Sequence, residues 1–79
     1  KQDGRQIKVS QIKKYLIGRA TDCHLRPKCD QVGRYHCALL IEEPDVTIRD
    51  LGSSAGTFVN GERLHFPLGL KSGDLIKVG

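Results

Sequence analysis

Hydrophobic and polar residues alternate over short stretches of the chain, and this pattern predicts β-strands. The alternation is clear at residues 5–9 and 46–50, whereas residues 37–41 are continuously apolar and are expected to form a central strand. A last strand is expected at residues 75–78. No segment carries a sustained helical period, and turn residues recur every ~8–12 positions. The pattern therefore predicts an all-β fold, a sandwich or a barrel.

Shorter features complete the predicted order of elements. Residues 15–17 (Tyr-Leu-Ile) and 23–25 (Cys-His-Leu) are expected to form two short strands. The Lys-Lys pair at 13–14 is expected at a turn, and residues 63–70 are expected to be irregular because they contain a proline and a glycine.

The chain is organised around residues 50–61, whose sequence is Asp-Leu-Gly-Ser-Ser-Ala-Gly-Thr-Phe-Val-Asn-Gly. Gly52 and Gly56 bracket three small residues and allow a tight loop between them. The β-branched and aromatic residues 57–59 favour a strand. The Asn-Gly pair at 60–61 is the strongest two-residue signal for a hairpin, because both residues tolerate positive φ. The stretch predicts a small hydroxyl-bearing loop at one end of a β-sheet. The simpler interpretation is a stable hairpin with no binding role.

Four sequence pieces together resemble the forkhead-associated (FHA) domain family. They are residues 17–19 (Ile-Gly-Arg), 32–37 (Val-Gly-Arg-Tyr-His-Cys), 50–61, and 70–79 (Leu-Lys-Ser-Gly-Asp-Leu-Ile-Lys-Val-Gly). Each piece is weak alone, but the four occur in the family's order from about Gln6 to the C-terminus. The resemblance implies an antiparallel β-sandwich with its binding loops at one end, and a non-catalytic module that binds phosphothreonine peptides.

The resemblance also bears on the extent of the domain. We expect residues 1–79 to be a single FHA-like domain excised from a longer protein. FHA domains usually have one strand before Gln6 and another after Gly79, so this sandwich is expected to lack terminal strands. The strand at 75–78 would then have an open edge.

The phosphate-binding residues implied by the resemblance are Arg19, Gly33 and Arg34. In the family, the Arg at position 19 contacts the phosphate, and a guanidinium offers a planar fork of donors that matches phosphate oxygens. Arg34 keeps the basic residue that is common in the family. Gly33 stands where the family usually has a Ser whose hydroxyl binds the phosphate, so one hydrogen bond is lost.

The second binding loop implied by the resemblance is Ser53, Ser54 and Ala55. Ser54 keeps a hydroxyl at a position that often contacts the peptide. The family's residue at position 55 is normally Asn, whose amide binds the peptide main chain, and Ala55 cannot replace it. Because two ligand groups are missing together, binding is expected to be weakened. The alternative is a degenerate FHA scaffold that binds an unphosphorylated protein.

Four further positions match the family and are expected to brace the loops: His36, Gly56, Thr57 and Asn60. His36 has a structural role there and does no chemistry. Since the sequence offers no ordered nucleophile, base and orienting group, and no hydrolase or kinase motif, we expect no enzymatic activity.

Composition and charge bear on two other classes of protein, nucleic-acid-binding domains and membrane proteins. The net charge is +4, the pI is near 9.2, and residues 1–14 are strongly basic, which permits a nucleic-acid-binding β domain. Only two Tyr and two Phe are available for stacking on bases, so this class is disfavoured. No apolar run is long enough for a membrane span.

The three cysteines are candidates for metal ligands and for disulfide partners. Cys23, Cys29 and Cys37 are odd in number and have no Cys-x-x-Cys spacing, so we expect free thiols and a cytoplasmic protein. A zinc site that adds His24 and His36 to them matches no common ligand spacing. We therefore expect no metal and no cofactor.

Overall fold

The computed structural model describes residues 13–79, and the strand predicted at residues 5–9 lies outside this range. Within the described residues the regular structure consists of seven strands and no helix. The strands are β1 (Lys13–Ile17), β2 (Cys37–Glu42), β3 (Asp45–Asp50), β4 (Thr57–Val59), β5 (Glu62–Arg63), β6 (Leu68–Gly69) and β7 (Ile76–Val78).

The strands form two antiparallel sheets. One has the order β1-β2-β3-β6, and the other has the order β5-β4-β7. The apolar strand β2 lies between β1 and β3, so its prediction as a central strand is confirmed. The all-β sandwich is likewise confirmed, with antiparallel pairing throughout both sheets.

The hydrophobic core lies between the two sheets. The first sheet contributes Ile17, Cys37 and Ile48, the second contributes Val59, and Leu64 follows β5. Ile48 and Cys37 are fully shielded from solvent. Burial of such side chains is the main favourable term for folding in a small sandwich.

The hairpin between β4 and β5 turns at the predicted Asn-Gly pair. Asn60 has a φ of 52° and Gly61 a φ of 85°, so both lie in the left-handed region that a tight two-residue hairpin requires. Val59 pairs with Glu62 directly across this turn. The sequence prediction for the hairpin is confirmed.

Three of the shorter predicted elements differ from the structure. Residues 13–14 are not a turn but the start of β1, where they pair with Ile41 and Leu40 of the central strand, and this pairing outweighs the weak strand preference of lysine. Residues 23–25 form only an isolated bridge between Leu25 and Ile17. The region 63–70 includes the short strand β6, which pairs with β3.

Residues 13–79 contain no helix with the length and hydropathy that a membrane crossing requires. The three cysteines are free thiols, with Cys23 and Cys37 buried and Cys29 exposed. Burial raises the pKa of the Cys37 thiol to about 11.

The exposure of the thiols predicts their order of reaction. At pH 8 a thiol with a pKa near 11 is thiolate to about one part in a thousand, and burial also blocks access. We expect a brief maleimide treatment of the native protein to add one label, at Cys29. Mass spectrometry of the labelled protein and of Cys29→Ser would test this. Rapid labelling of Cys29→Ser without denaturant would contradict the buried positions of Cys23 and Cys37.

A second prediction concerns Gly18, which follows β1 and is buried. A methyl group at this position would overlap the carbonyl oxygen of Arg34. Gly18→Ala should therefore lower the free energy of unfolding by about 1–3 kcal/mol. Urea denaturation measures this difference. Gly69→Ala is the matched control, because its added methyl meets no atom within 4 Å. Equal stability of the two variants would contradict the close approach at Gly18.

Candidate functional site

Strand register places the two predicted binding loops at the same end of the sandwich. Ile17, the last residue of β1, pairs with Cys37, the first residue of β2. Cys37 in turn pairs with Asp50, the last residue of β3. The segment 18–36, which joins β1 to β2, and the segment 51–56, which follows β3, therefore leave the sheet at one edge. We call these segments the first loop and the second loop.

Arg19 is held against the far end of the first loop. Its backbone N–H donates to the Gly33 carbonyl at 2.9 Å, and its side-chain Nε donates to the Val32 carbonyl. The neighbouring N–H of Ala20 donates to the Arg34 carbonyl at 3.1 Å. Arg19 is nevertheless exposed, so its terminal amino groups can face a ligand. The sequence-predicted residues Arg19, Gly33 and Arg34 are thus brought together.

His36 joins the first loop to the second. Its Nδ1 accepts a hydrogen bond from the Gly33 N–H at 3.0 Å, and its Nε2 lies 2.8 Å from the Gly56 carbonyl oxygen. Because Nδ1 accepts this hydrogen bond, it carries no proton, so the ring N–H is at Nε2 and donates a hydrogen bond to the Gly56 carbonyl. The imidazole is fully buried. Both of its nitrogens are used in fixing backbone, which fits a bracing role.

The carboxylate of Asp50 is the hub of the second loop. It accepts hydrogen bonds from the N–H groups of Gly52 and Ser53 at 2.9 and 3.0 Å. It also accepts from the hydroxyl of Ser53 and from that of Thr57, the latter at 2.7 Å. Ser53 Oγ in turn accepts from the Gly56 N–H at 3.1 Å. Ser53 and Thr57 are therefore committed to holding the loop.

The hydrogen bonds to Asp50 shift its titration. Partial burial would raise the pKa of this carboxyl, but the hydrogen bonds from Ser53, Thr57 and Gly52 outweigh it and hold the pKa below the ordinary value. The second loop is consequently built around a carboxylate that stays ionised at neutral pH.

The remaining residues of the second loop face outward to different degrees. Ser54 is exposed and Ala55 is half-buried. The Ser54 carbonyl accepts a hydrogen bond from Arg63 at 3.3 Å, and the Arg63 guanidinium lies against Gly56. Gly56 has a φ of 92°, a left-handed backbone conformation that is strained for any residue with a side chain.

Gly33 differs from the other glycines of the site because it combines room for a side chain with a φ that any residue can adopt. Its φ is outside the left-handed region, and a Cβ would come no closer than 3.8 Å to another atom, His36 Nδ1. The absence of a hydroxyl at this position is therefore not imposed by the backbone.

Asn60 lies away from the two loops and serves the hairpin and the next turn. Its Nδ2 donates to Asp74 at 3.0 Å, and its Oδ1 accepts from the Leu75 N–H at 3.0 Å. Hydrogen bonds from the Lys71 N–H and from Asn60 lower the pKa of Asp74. Of the predicted bracing residues, Asn60 acts on the segment 71–75, and the other three act at the loops.

The sequence analysis missed several contacts that shape the site. Asp50 could have been found, because an Asp followed two and three residues later by small residues is typical of a side-chain-capped turn. Arg63 could not, because its place beside Gly56 depends on the pairing of Phe58 with Arg63. Nor could the hydrogen bonds from the Tyr35 hydroxyl to the Asp22 carboxylate, at 2.9 and 3.1 Å, which span the first loop.

Within the described residues, no three His, Cys, Asp or Glu side chains converge on a point where a metal could bind. Cys23 instead donates from Sγ to the Arg34 carbonyl at 3.3 Å, and His24 accepts from the Leu16 N–H at 2.9 Å.

Comparison with known proteins places this geometry in a family. The family model for the FHA domain matches residues 15–79. The chain belongs to the FHA family. FHA domains are non-catalytic protein-interaction modules that bind phosphopeptides, and the matched range includes both loops and all seven strands except the first two residues of β1.

A curated protein aligns with almost the whole chain. The human proliferation marker protein Ki-67 is 32% identical over 76 residues, which are 96% of this chain and 2% of that protein. The chain thus spans a very small part of this curated relative.

Solved structures of FHA domains superimpose closely on the fold. The N-terminal FHA domain of Saccharomyces cerevisiae Rad53p, in complex with a phosphothreonine peptide, has a TM-score of 0.77 at 28% identity, covering 92% of this chain and 61% of that one. Mycobacterium tuberculosis EmbR, in complex with a low affinity phosphopeptide, has a TM-score of 0.78 at 31% identity, covering 82% of this chain and 17% of that one.

The Asp50 network predicts a pH-dependent contribution to stability. The folded-state pKa lies below the unfolded value of about 3.9, so the ionised carboxylate stabilises the fold above that pH. This contribution is lost as the pH falls through the folded-state pKa. Asp50→Asn should lower the free energy of unfolding by about 1–2 kcal/mol at pH 7, allowing for solvent screening, and by less in acid.

Urea denaturation across the acid range measures both effects. Asp45→Asn is the control, because Asp45 is an exposed residue at the other end of the same strand. A constant difference between Asp50→Asn and the native protein at all pH values would contradict the role given to the carboxylate.

Proposed function

We propose that this FHA domain binds phosphothreonine peptides through its two loops, with a grip weakened at Gly33 and Ala55. The observation that carries the proposal is the arrangement around Arg19. Its side chain is held beside Gly33 and Arg34 by the Val32 carbonyl, at the end of the sandwich where His36 joins the second loop. A phosphothreonine carries about −1.5 to −2 charges and three acceptor oxygens, which the exposed ends of Arg19 and Arg34 suit.

The framework and the ligand groups differ in how well they are kept. The framework residues His36, Asp50, Ser53 and Thr57 make a connected set of hydrogen bonds. In contrast, position 33 offers only its backbone and position 55 only a methyl group. An intact frame with two missing contacts supports weak binding rather than loss of the site.

The alternative is a scaffold that binds an unphosphorylated protein partner. It is favoured by the same two positions, because the family's phosphate-binding hydroxyl and peptide-binding amide are absent together. The two proposals make opposite predictions for a protein in which both groups are restored.

Restoring both groups should create or strengthen phosphothreonine binding. Gly33 has space and an ordinary φ for Ser, and Ala55 already carries a Cβ in the loop, so Gly33→Ser with Ala55→Asn should leave the fold intact. Each restored hydrogen bond should add about 1–2 kcal/mol. Together they should tighten binding by roughly 30- to 1,000-fold if their effects are additive.

Titration with a degenerate phosphothreonine peptide library and its unphosphorylated counterpart tests this proposal. Adding Arg19→Ala to the double variant should abolish the gain, because the phosphate then loses its main cation. Gly69→Ser is the control for a Gly-to-Ser change outside the loops. A folded double variant that still ignores phosphopeptide would favour the scaffold. Micromolar binding by the native domain without improvement in the double variant would show that the two positions are not defects.

A further inference from the structure

A further arginine lies against the second loop of the proposed site. Arg63 is exposed on β5, and its guanidinium contacts the loop on both sides of Ala55. We propose that Arg63 binds the peptide directly, by donating a hydrogen bond to a main-chain carbonyl of the bound phosphopeptide beside Ala55, which has no side-chain donor. This inference rests on the proposed function and adds a ligand-binding residue to it.

The hairpin of β4 and β5 returns the chain to the second loop. Thr57, the first residue of β4, directly follows this loop, and its carbonyl accepts a hydrogen bond from the Leu64 N–H at 2.7 Å. Arg63 pairs with Phe58, the next residue of β4. Because Thr57 and Val59 are buried and side chains alternate along a strand, Phe58 and its partner Arg63 lie on the outer face of the second sheet. The hairpin therefore fixes the backbone from which the Arg63 side chain reaches the loop.

The guanidinium contacts the residue before Ala55 and the residue after it. Its Nη2 donates to the Ser54 carbonyl at 3.3 Å. On the other side, a Cβ on Gly56 would lie 2.9 Å from the Nε and Cζ atoms of Arg63, so the glycine leaves space that the guanidinium occupies. Arg63 thus lies across the outward-facing part of the second loop, where the methyl group of Ala55 offers no hydrogen bond.

The guanidinium has more donors than the contact with Ser54 uses. It carries five N–H groups in one plane, and one of them serves the Ser54 carbonyl. The side chain is exposed, so donors on its outer edge are open to a ligand. A hydrogen bond from a cation to a carbonyl oxygen is stronger than one between neutral groups. Because every residue of a peptide has a main-chain carbonyl, this contact requires no particular side chain in the ligand.

The inference changes what is expected from a substitution at Ala55. An amide side chain at position 55 and the guanidinium of Arg63 would donate to the same peptide carbonyl from adjacent places. Their contributions to binding should therefore overlap, and each should matter most when the other is absent. If Arg63 only supported the loop, the two contributions would instead be independent.

A double-mutant cycle measures this overlap. NMR titration follows the binding of one phosphothreonine peptide with neutral flanking residues to Arg63→Gln, Ala55→Asn and their combination, each made in the native domain and in Gly33→Ser. We expect Arg63→Gln to weaken binding by about fivefold in a domain that keeps Ala55. In the Ala55→Asn background the same change should weaken binding by less than about twofold.

Two further variants separate the planar donors of Arg63 from its charge and its place in the sheet. Arg63→Lys should weaken binding nearly as much as Arg63→Gln, because an ammonium group lacks the planar fork that reaches Ser54 and the ligand together. The matched control is Lys77→Gln, since Lys77 is an exposed cation that pairs with the same Phe58 and lies over its ring. This control should change binding by less than about twofold. Circular dichroism would show that each variant keeps its β fold.

The outcomes separate the inference from the proposed function. Equal effects of Arg63→Gln with Ala55 and in the Ala55→Asn background would mean that Arg63 only supports the loop, and would overturn the inference. Full affinity in Arg63→Lys would overturn it too, because charge alone would then suffice. If phosphopeptide binds and Arg63→Gln changes nothing, the inference is wrong and the proposed function stands. If no phosphopeptide binds even Gly33→Ser with Ala55→Asn, the proposed function fails and the inference fails with it.

Discussion

The buried imidazole of His36 is the constraint on which the site depends. It accepts from the Gly33 N–H and donates to the Gly56 carbonyl, so one side chain fixes backbone in both loops. A buried polar group costs free energy unless it is paired, and here both ring nitrogens are paired. Its position next to the first residue of β2 ties the loops to the central strand. The two loops are thus fixed to each other and to the end of the central strand.

Each loop then has its own local network that the histidine joins. In the first loop, the backbone N–H of Arg19 donates a hydrogen bond to the Gly33 carbonyl, and its Nε donates one to the Val32 carbonyl. In the second loop, the carboxylate of Asp50 collects the donors of Ser53, Thr57 and the loop backbone. These interactions are internal and do not require a ligand. The frame of the two loops therefore does not depend on the side chains at positions 33 and 55.

Local signals made much of the fold predictable from sequence. Continuous apolar residues indicated the central strand, and Asn60-Gly61 indicated the hairpin, because both depend on nearby residues only. Pairing partners were not predictable in the same way, which is why Lys13 was expected in a turn although it pairs with Ile41. The candidate site residues followed from motif resemblance. The position of Arg63 against Gly56 could not be predicted, because it depends on the three-dimensional arrangement of β4 and β5.

We propose that the ends of the two loops form a working, weakened phosphothreonine site. An NMR titration of the isotope-labelled native domain with the degenerate phosphothreonine library tests it most directly. We expect dose-dependent shifts at the backbone amides of Arg19, Gly33, Arg34 and Ser54, with none from the unphosphorylated library. Equal shifts from both libraries, or shifts confined to surfaces away from these loops, would contradict it.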